Sequence, residues 1–227
     1  MQIIKLSQTN DREAWLDARR GLITGSKAKG IKPLTRGTDR TPAGFWELLA
    51  ERLSVAKDGE PDMDRGQRLE NEALQHTADK YGIEFDLDAG MWVSDEIKGM
   101  AVSPDSAEYG DKPTYAGEAK CLATKNHLQA VVADIRAKKL DGYQPFNSVP
   151  KEYQDQVLQY FAVNPHLQKV YFTLYDDRIA LNKLMHHVII VERTYVQDRV
   201  DILLQIETDV LEQIKETIGE LLAYDQT

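Results

Sequence analysis

The sequence predicts an α/β or α+β fold in which a central mixed β-sheet is flanked by helices. Helical patterns come first, a run of strands follows, and a helix, two strands and a long closing helix complete the order of elements. Apolar residues make up 42% of the 227 residues, which is enough for a sizeable core. We expect one domain over residues 1–227. No apolar run reaches 18 residues, so we expect no membrane span.

Three helices are predicted in the first third of the chain. Residues 10–18, 45–53 and 63–81 place apolar side chains at helical spacing. Gly21 and Gly82 follow the first and third of these segments, where a glycine commonly ends a helix. Loop sequences rich in proline and glycine separate the segments.

The middle of the chain predicts strands. Residues 83–93, 100–103 and 115–122 are short apolar runs bounded by turn residues. We expect the second and third runs to form an antiparallel hairpin with Asp105 near its tip. The remaining pattern predicts helices over 124–140, 151–163 and 198–224 and strands over 169–175 and 187–192.

Charge is unevenly distributed. The net charge is −9, which by itself argues against a nucleic-acid-binding protein. Residues 19–40 nevertheless carry seven basic side chains and one acid, whereas residues 192–227 carry nine acids and three basic side chains. This distribution fits a protein that binds a polyanion on one surface and repels it elsewhere, and an ordinary fluctuation in charge explains it equally well.

Cysteine usage excludes several classes of site. Cys121 is the single cysteine, so the chain has no intramolecular disulfide and no four-cysteine metal site.

The first residues lack the long apolar segment of a signal peptide. The sequence also contains no glycine-rich phosphate loop of the Walker or dinucleotide type.

Asp105, Glu118 and Lys120 form the pattern that carries chemistry. Alternate side chains of a strand share a face, so Glu118 and Lys120 are expected to point the same way. If Asp105 lies on the neighbouring strand, two carboxylates and one amine converge. Two carboxylates bind Mg²⁺ together with water and a substrate phosphate, and a lysine beside them orients or deprotonates the attacking water. The alternative is an ordinary turn aspartate beside a solvated ion pair.

Two further sites are weaker. Arg19 and Ser26 flank a turn that leads into a possible helix, and an arginine fork beside a hydroxyl makes a phosphate pocket. A surface arginine and a plain helix cap explain the same residues. Glu70, in the middle of the helix predicted over 63–81, is either a third carboxylate of the metal site or a solvated charge.

Taken together, six segments resemble the lambda-type phage exonucleases, a viral recombinase family within the PD-(D/E)xK nuclease superfamily. The resemblance covers most of the chain and predicts the restriction-endonuclease-like core of that superfamily. The matching segments are WLDARRGLITGS at 15–26, GQRLENEA at 66–73, SPD at 103–105, EAK at 118–120, QVLQY at 156–160 and YFTLYDDR at 171–178.

The resemblance implies roles for individual residues. Asp105, Glu118 and the Ala119 carbonyl would ligate Mg²⁺, and Glu70 would help to hold a second ion, with Mn²⁺ as a substitute. Lys120 would position or deprotonate the nucleophilic water, and Gln156 would support that water or the lysine.

The resemblance also implies residues that bind DNA. Arg19, Ser26 and Ser103 would bind the 5′-phosphate of the strand being cut. Met63 and Tyr160 would contact the DNA, Met63 as an apolar side chain that wedges open the duplex end. The basic loop over 27–40 departs most from the family in spacing.

The activity implied is 5′→3′ digestion of one strand of linear duplex DNA, which releases 5′-mononucleotides and leaves 3′ overhangs. Family members form a homotrimeric ring and act beside a single-strand annealing protein in phage recombination, so a phage or prophage protein in the bacterial cytoplasm is expected. Two alternatives stay open: a sequence-specific or structure-specific endonuclease on the same fold, and a non-catalytic DNA-binding remnant.

Overall fold

The computed structural model describes residues 1–6, 11–32, 44–45, 48, 64–122, 124–177, 179 and 181–225. Most of the helix predicted over 45–53, Met63 and most of the basic loop over 27–40 therefore lie outside the described residues. None of the described helices is long and apolar enough to cross a membrane.

The described chain contains six α-helices and seven strands. The helices are α1 (Arg12–Ala18), α2 (Asp64–Tyr81), α3 (Thr124–Ala137), α4 (Lys151–Val163), α5 (Asn182–Met185) and α6 (Gln197–Asp225). The strands are β1 (Gln2–Ile4), β2 (Met91–Val93), β3 (Ala101–Val102), β4 (Ser106–Ala107), β5 (Tyr115–Lys120), β6 (Lys169–Tyr175) and β7 (His186–Glu192). Short 3₁₀ helices span Ala28–Ile31, Pro145–Ser148 and Arg193–Tyr195.

The main sheet has four strands in the order β4-β5-β6-β7. Strands β5 and β6 are parallel, and the β4-β5 and β6-β7 pairs are antiparallel. The predicted mixed sheet is therefore confirmed. A second, antiparallel sheet has the order β1-β2-β3 and was not predicted as a separate unit.

The parallel pair requires a crossover, and α3 and α4 supply it. Side chains alternate between the two faces of β6, so Phe172 and Leu174 share a core with Val157 and Phe161 of α4. The intervening residues of β6 face the opposite way. Helices therefore cover both faces of the sheet, and β5 lies between them.

Helix α2 covers the second face. Leu74 and Ala78 of this helix pack with Ala119 of β5 and with Tyr171 and Tyr175 of β6. These positions follow the helical spacing on α2 and the two-residue spacing on the strands. The pattern that predicted these elements is thus the pattern that builds the core.

The predicted hairpin around Asp105 is wrong. Strand β3 pairs with β2 in the small sheet, and the partner that precedes β5 is β4, which begins after Asp105. Pro104 explains the break, because it has no N–H to continue a ladder. Asp105 consequently lies where the chain passes from one sheet to the other, not at the tip of a hairpin.

The predicted strand over 83–93 is also too long. Asp86 forms an isolated bridge with Ala107, and regular pairing begins only at Met91. The acids and glycine within the segment disfavour a continuous strand. The helices predicted over 10–18, 63–81, 124–140, 151–163 and 198–224 are confirmed, with shifts at their ends.

A buried carboxylate joins α3 to β7 and to the loop after α3. Asp134 is fully buried, and its two oxygens lie 2.7 Å from His187 Nε2, 2.6 Å from Lys138 Nζ and 2.6 Å from Tyr143 Oη. Burial raises the pKa of Asp134, but the hydrogen bonds from these neighbours lower it more, so the net pKa is below the ordinary value. A depressed pKa means that the folded state is stabilised by the ionised form.

Asp134→Asn should lower the free energy of unfolding at pH 7 by about 2 kcal/mol, because it removes the charge that three donors surround. The stabilisation is fully present above the unfolded pKa of about 4 and is lost as the pH falls below it. The deficit, measured by urea unfolding, should therefore shrink at pH 3. Asp141→Asn, at an exposed position nearby, is the control. An equal deficit at both pH values would show that the charge is not the source.

Candidate active site

Glu118 lies at the centre of a polar cluster on β5. Its side chain is 0% exposed, and Oε1 forms an ion pair with Lys120 Nζ. Both side chains therefore lie on the same face of the strand, as the two-residue spacing predicts. A buried carboxylate requires such compensation, because desolvating a charge is costly.

Helix α4 supplies the other two partners of Glu118. Gln156 Nε2 donates a hydrogen bond to Oε1, and Tyr160 Oη donates one to Oε2. The two residues are four positions apart, so they lie one turn apart on the same helix face. Together with Lys120 they fix both oxygens of the carboxylate.

Tyr160, which is predicted to contact DNA, lies in the core beside Glu118. Its side chain is 0% exposed and packs edge-on against Trp92, with ring centroids 6.2 Å apart. In this structure the side chain presents no surface to DNA, and its predicted contact with DNA stays a prediction. Burial and the adjacent carboxylates raise the pKa of Tyr160, so the hydroxyl stays protonated and donates to Glu118.

Asp105 reaches the cluster from the passage between the two sheets. Its side chain is partly exposed, and Oδ2 accepts a hydrogen bond from the Ala119 N–H at 2.9 Å. This bond places the Asp105 carboxylate beside β5, next to Glu118 and Lys120. The convergence of these three residues is as predicted, although Asp105 lies between β3 and β4 and not on a strand of its own.

Gly117 permits the close packing around β5. A Cβ atom at this position would lie 2.3 Å from Ser106 Oγ and 2.7 Å from Leu74 Cδ2. Neither distance is sterically possible unless the Ser106 and Leu74 side chains move. The glycine of the GEAK segment is therefore a packing requirement next to the polar cluster.

Two carboxyl groups of the cluster, Asp105 and Glu70, have raised pKa values. Burial raises the pKa of Asp105, and the charge of Glu118 raises it further. Burial likewise raises the pKa of Glu70, where Lys120 lowers it and Glu118 raises it. Glu70 of α2 is thus close enough to interact with both residues. The cluster carries more negative charge than Lys120 alone neutralises, and such a site attracts a cation.

Lys120 is held in its charged form. Burial lowers its pKa, but the carboxylates of Glu118, Asp105 and Glu70 raise it more, and the net pKa is above the ordinary value. Its ammonium also lies 5.3 Å from the centre of the Tyr153 ring. A general base would need a lowered pKa, so this arrangement favours an orienting lysine over a deprotonating one.

The donor set suits a hard divalent cation. Asp105 and Glu118 offer carboxylate oxygens, and Mg²⁺ commonly binds to one or two carboxylates while it keeps several waters. Among the described residues, no three His, Cys, Asp or Glu side chains are arranged as a preformed metal site. The role of Glu70 at a second ion and that of the Ala119 carbonyl therefore stay predictions.

Residues 19–26 form a turn that brings Arg19 and Ser26 together. Arg19 Nη2 lies 3.4 Å from Ser26 Oγ, which lies 3.3 Å from Thr24 Oγ1. The Arg19 guanidinium also lies over the Trp15 ring, 4.1 Å from its centre. A stacked guanidinium beside two hydroxyls suits phosphate recognition, as the sequence predicts.

Ser103 follows β3, the strand that pairs with this turn at Ile23. Ser103 Oγ is buried and has no hydrogen-bond partner among the described residues. An orphaned hydroxyl of this kind is consistent with a ligand group but does not identify one. The predicted role of Met63 falls outside the described residues.

Sequence reasoning missed two polar residues, Gln159 and Glu207. Both are fully buried, and Gln159 Nε2 donates to Glu207 Oε2 at 3.0 Å. Gln159 is three positions after Gln156 and so lies on nearly the same helix face. The three-residue spacing from Gln156 could have indicated that Gln159 lies near the site. Nothing comparable marks Glu207, which resembles the solvated acids around it in α6.

The sheet, its crossover and the cluster on β5 define a nuclease-type α/β fold. The chain belongs to the YqaJ-like viral recombinase domain family, whose model matches residues 14–187. This membership confirms the resemblance to phage recombination exonucleases and supports a nuclease role. No curated protein sequence matches the chain.

Solved structures confirm the fold. An alkaline exonuclease from Laribacter hongkongensis, LHK-Exo, is 23% identical with a TM-score of 0.73, over 94% of this chain and 98% of that chain. LHK-Exo in complex with dAMP is 24% identical with a TM-score of 0.71 over the same shares. A phage-related exonuclease from Haemophilus somnus 129PT is 12% identical with a TM-score of 0.58, over 91% and 99%. At these identities the likeness establishes the fold alone.

Proposed function

We propose that the protein is a Mg²⁺-dependent 5′→3′ exonuclease that acts on linear double-stranded DNA, releases 5′-mononucleotides and leaves 3′ single-stranded overhangs. The observation that carries this proposal is the placement of the Asp105 carboxylate against β5, beside the ion pair of Glu118 and Lys120. Family membership supports recombination as the setting. The structural likeness to LHK-Exo, an alkaline exonuclease that has been solved in complex with the mononucleotide dAMP, supports the reaction.

Asp105, Glu118 and the Ala119 carbonyl would hold one Mg²⁺, and Glu70 would help to hold a second, with Mn²⁺ able to substitute. A bound divalent cation would polarise the scissile phosphate and lower the pKa of the attacking water. The fit is chemical, because each proposed ligand offers an oxygen atom. Binding would require Glu118 to share oxygens that now accept bonds from Lys120, Gln156 and Tyr160.

Lys120, Gln156 and Tyr160 would each have a separate role in the reaction. The Lys120 ammonium would orient the nucleophilic water and offset the charge that develops on the phosphate. Gln156 and Tyr160 would hold Glu118 in one orientation, so that the carboxylate need not reorganise during the reaction. Gln156 is also close enough to Lys120 to support it, since both contact Glu118 Oε1.

End recognition would come from the turn over residues 19–26. Arg19 and Ser26, with Ser103, would bind the terminal 5′-phosphate of the strand that is cut, and Met63 would wedge the duplex end. Contacts to phosphates carry no base sequence, which suits an enzyme that digests any sequence. We also propose a homotrimeric ring, a single-strand annealing protein as partner, and the cytoplasm of a phage-infected or lysogenic bacterium as the location.

End dependence is the first test of the proposal. With Mg²⁺, the protein should release acid-soluble nucleotide from a linear duplex and none from a covalently closed circle of the same sequence. Lys120→Ala should reduce the release about 100-fold or more while binding to duplex ends persists. Cutting of the circle would favour the endonuclease alternative. DNA binding without product in either form would favour a non-catalytic remnant.

Arg19→Ala tests the phosphate pocket. It should lower the rate on 5′-phosphorylated ends about 10-fold, since a charge-assisted hydrogen bond is lost, and should change the rate on 5′-hydroxyl ends far less. Lys29→Ala, which removes an equal charge at an exposed position in the same basic segment, should not alter the ratio of the two rates. An equal loss on both ends in Arg19→Ala would refute a specific pocket.

Metal binding is testable without activity. Mg²⁺ should raise the melting temperature, since a ligand that binds only the folded state stabilises it, and each 1 kcal/mol is worth about 2–4 °C for a chain of this size. Asp105→Asn should abolish this shift. It should also raise the metal-free melting temperature, because a raised pKa means that ionised Asp105 destabilises the folded state above the unfolded pKa of about 4.

The matched control for this measurement is Asp111→Asn, at an exposed turn position. It should leave both the metal-free melting temperature and the Mg²⁺ shift unchanged. A full Mg²⁺ shift in Asp105→Asn would exclude Asp105 as a ligand.

A further inference from the structure

The buried pair Gln159 and Glu207 has no part in the reaction as proposed so far. Gln159 is fully buried in α4, and its Nε2 donates to the Ile23 carbonyl at 3.2 Å as well as to Glu207 Oε2 at 3.0 Å. Glu207, on α6, is also fully buried. Burying two polar side chains in a core is costly unless they are hydrogen-bonded, so the groups that these two residues bond to are informative.

The target, Ile23, anchors the turn over residues 19–26. The Ile23 carbonyl also accepts a hydrogen bond from Ala101 N–H at 2.9 Å, and the Ile23 N–H donates to the Gly99 carbonyl at 2.8 Å. Ile23 is thus held to the small sheet on one side and to α4 on the other. Thr24 and Ser26, which follow directly, take their positions from this anchor.

The same turn touches the helix face that holds Glu118. A Cβ atom on Gly25 would lie 3.1 Å from Gln156 Cγ, so the backbone of the turn lies directly against Gln156. Gln156 in turn donates to Glu118. One turn of α4 therefore contacts the Arg19–Ser26 turn through Gln159 and the Glu118 carboxylate through Gln156.

We propose that Gln159 is a positioning residue that fixes the distance between the end-binding turn and the carboxylates on β5, and thereby sets the length of the released product and the preference for 5′-phosphorylated ends. This inference rests on the proposed function. The terminal phosphate and the bond to be cut are one nucleotide apart, so a fixed separation selects mononucleotides. A displacement of about 1 Å at a reacting centre is enough to lower a rate strongly.

Glu207 supports this role as a neutral hydrogen-bond acceptor. Burial raises its pKa to about 8, an effect to which Asp155 of α4 adds and which the hydrogen bond from Gln159 opposes. Asp155 is itself paired with Lys32 at 2.5 Å. A protonated Glu207 near pH 7 leaves no unpaired charge in the core, and its carbonyl oxygen still accepts the bond from Gln159.

The test compares single-turnover rates and product lengths on matched duplexes with 5′-phosphate and 5′-hydroxyl ends. Gln159→Met keeps the length of the side chain and removes both hydrogen bonds. The ratio of the two rates should fall about 10-fold, and products of two or more nucleotides should appear beside mononucleotides. Glu207→Gln keeps an acceptor for Gln159 and should retain the wild-type ratio and product length.

Gln154→Met is the matched control on the same helix. Gln154 Nε2 donates to the Val149 carbonyl at 2.9 Å, at the start of α4 and away from the turn. This variant should lower the melting temperature without changing the ratio or the products. If Gln159→Met does not fold, Gln159→Leu replaces it, because a branched apolar side chain removes the same two hydrogen bonds, to the Ile23 carbonyl and to Glu207.

One outcome overturns this inference alone, and another overturns it together with the proposed end recognition. A wild-type preference for phosphorylated ends that persists in the folded variant, with mononucleotides alone as product, excludes Gln159 as a positioning residue and leaves the exonuclease intact. A wild-type protein that degrades both ends equally refutes the proposed end recognition, and this inference with it.

Discussion

The structure depends on one buried negative charge, the carboxylate of Glu118 in the middle of the main sheet. A carboxylate with no exposed surface is costly unless donors surround it, and here three side chains do so. Lys120 comes from the same strand, whereas Gln156 and Tyr160 come from α4. The donors are in place only because β5 and β6 are parallel, since the crossover between them lays α4 on that face of the sheet. The parallel topology of the sheet therefore provides the donors that the buried carboxylate of Glu118 requires.

The same cluster lowers the stability of the folded state, and such a cost is common at functional sites. Asp105 is placed beside Glu118 by a bond from the Ala119 N–H, although the two carboxylates repel each other and burial disfavours both charges. Replacing such a cluster with apolar side chains commonly stabilises a protein. Repelling carboxylates held together by specific backbone bonds are typical of sites that are completed by a cation. The cost in stability is thus itself an argument for the proposed metal.

Sequence reasoning succeeded where a repeating pattern extends over several residues. The two-residue period placed Glu118 and Lys120 together, and helical periods found α2, α4 and α6. It failed around Asp105, because β3 and β4 have two residues each and carry no period, so nothing local indicates that they belong to different sheets. Polar residues with buried partners were also misread, since the sequence does not distinguish a glutamine in a core from one in water.

Helix α4 shows how those buried polar residues fit the fold. Gln156, Gln159 and Tyr160 occupy one face of this helix. Gln156 and Tyr160 each donate a hydrogen bond to the Glu118 carboxylate, and Gln159 donates one to the Ile23 carbonyl. A helix is stiff over one turn, so the positions of its side chains relative to one another are fixed more firmly than those of side chains on separate loops. An enzyme that must cut a constant distance from an end needs such a rigid reference. The turn over residues 19–26 is hydrogen-bonded to the chain at the small sheet, Glu118 lies in the main sheet, and the buried polar side chains of α4 contact both.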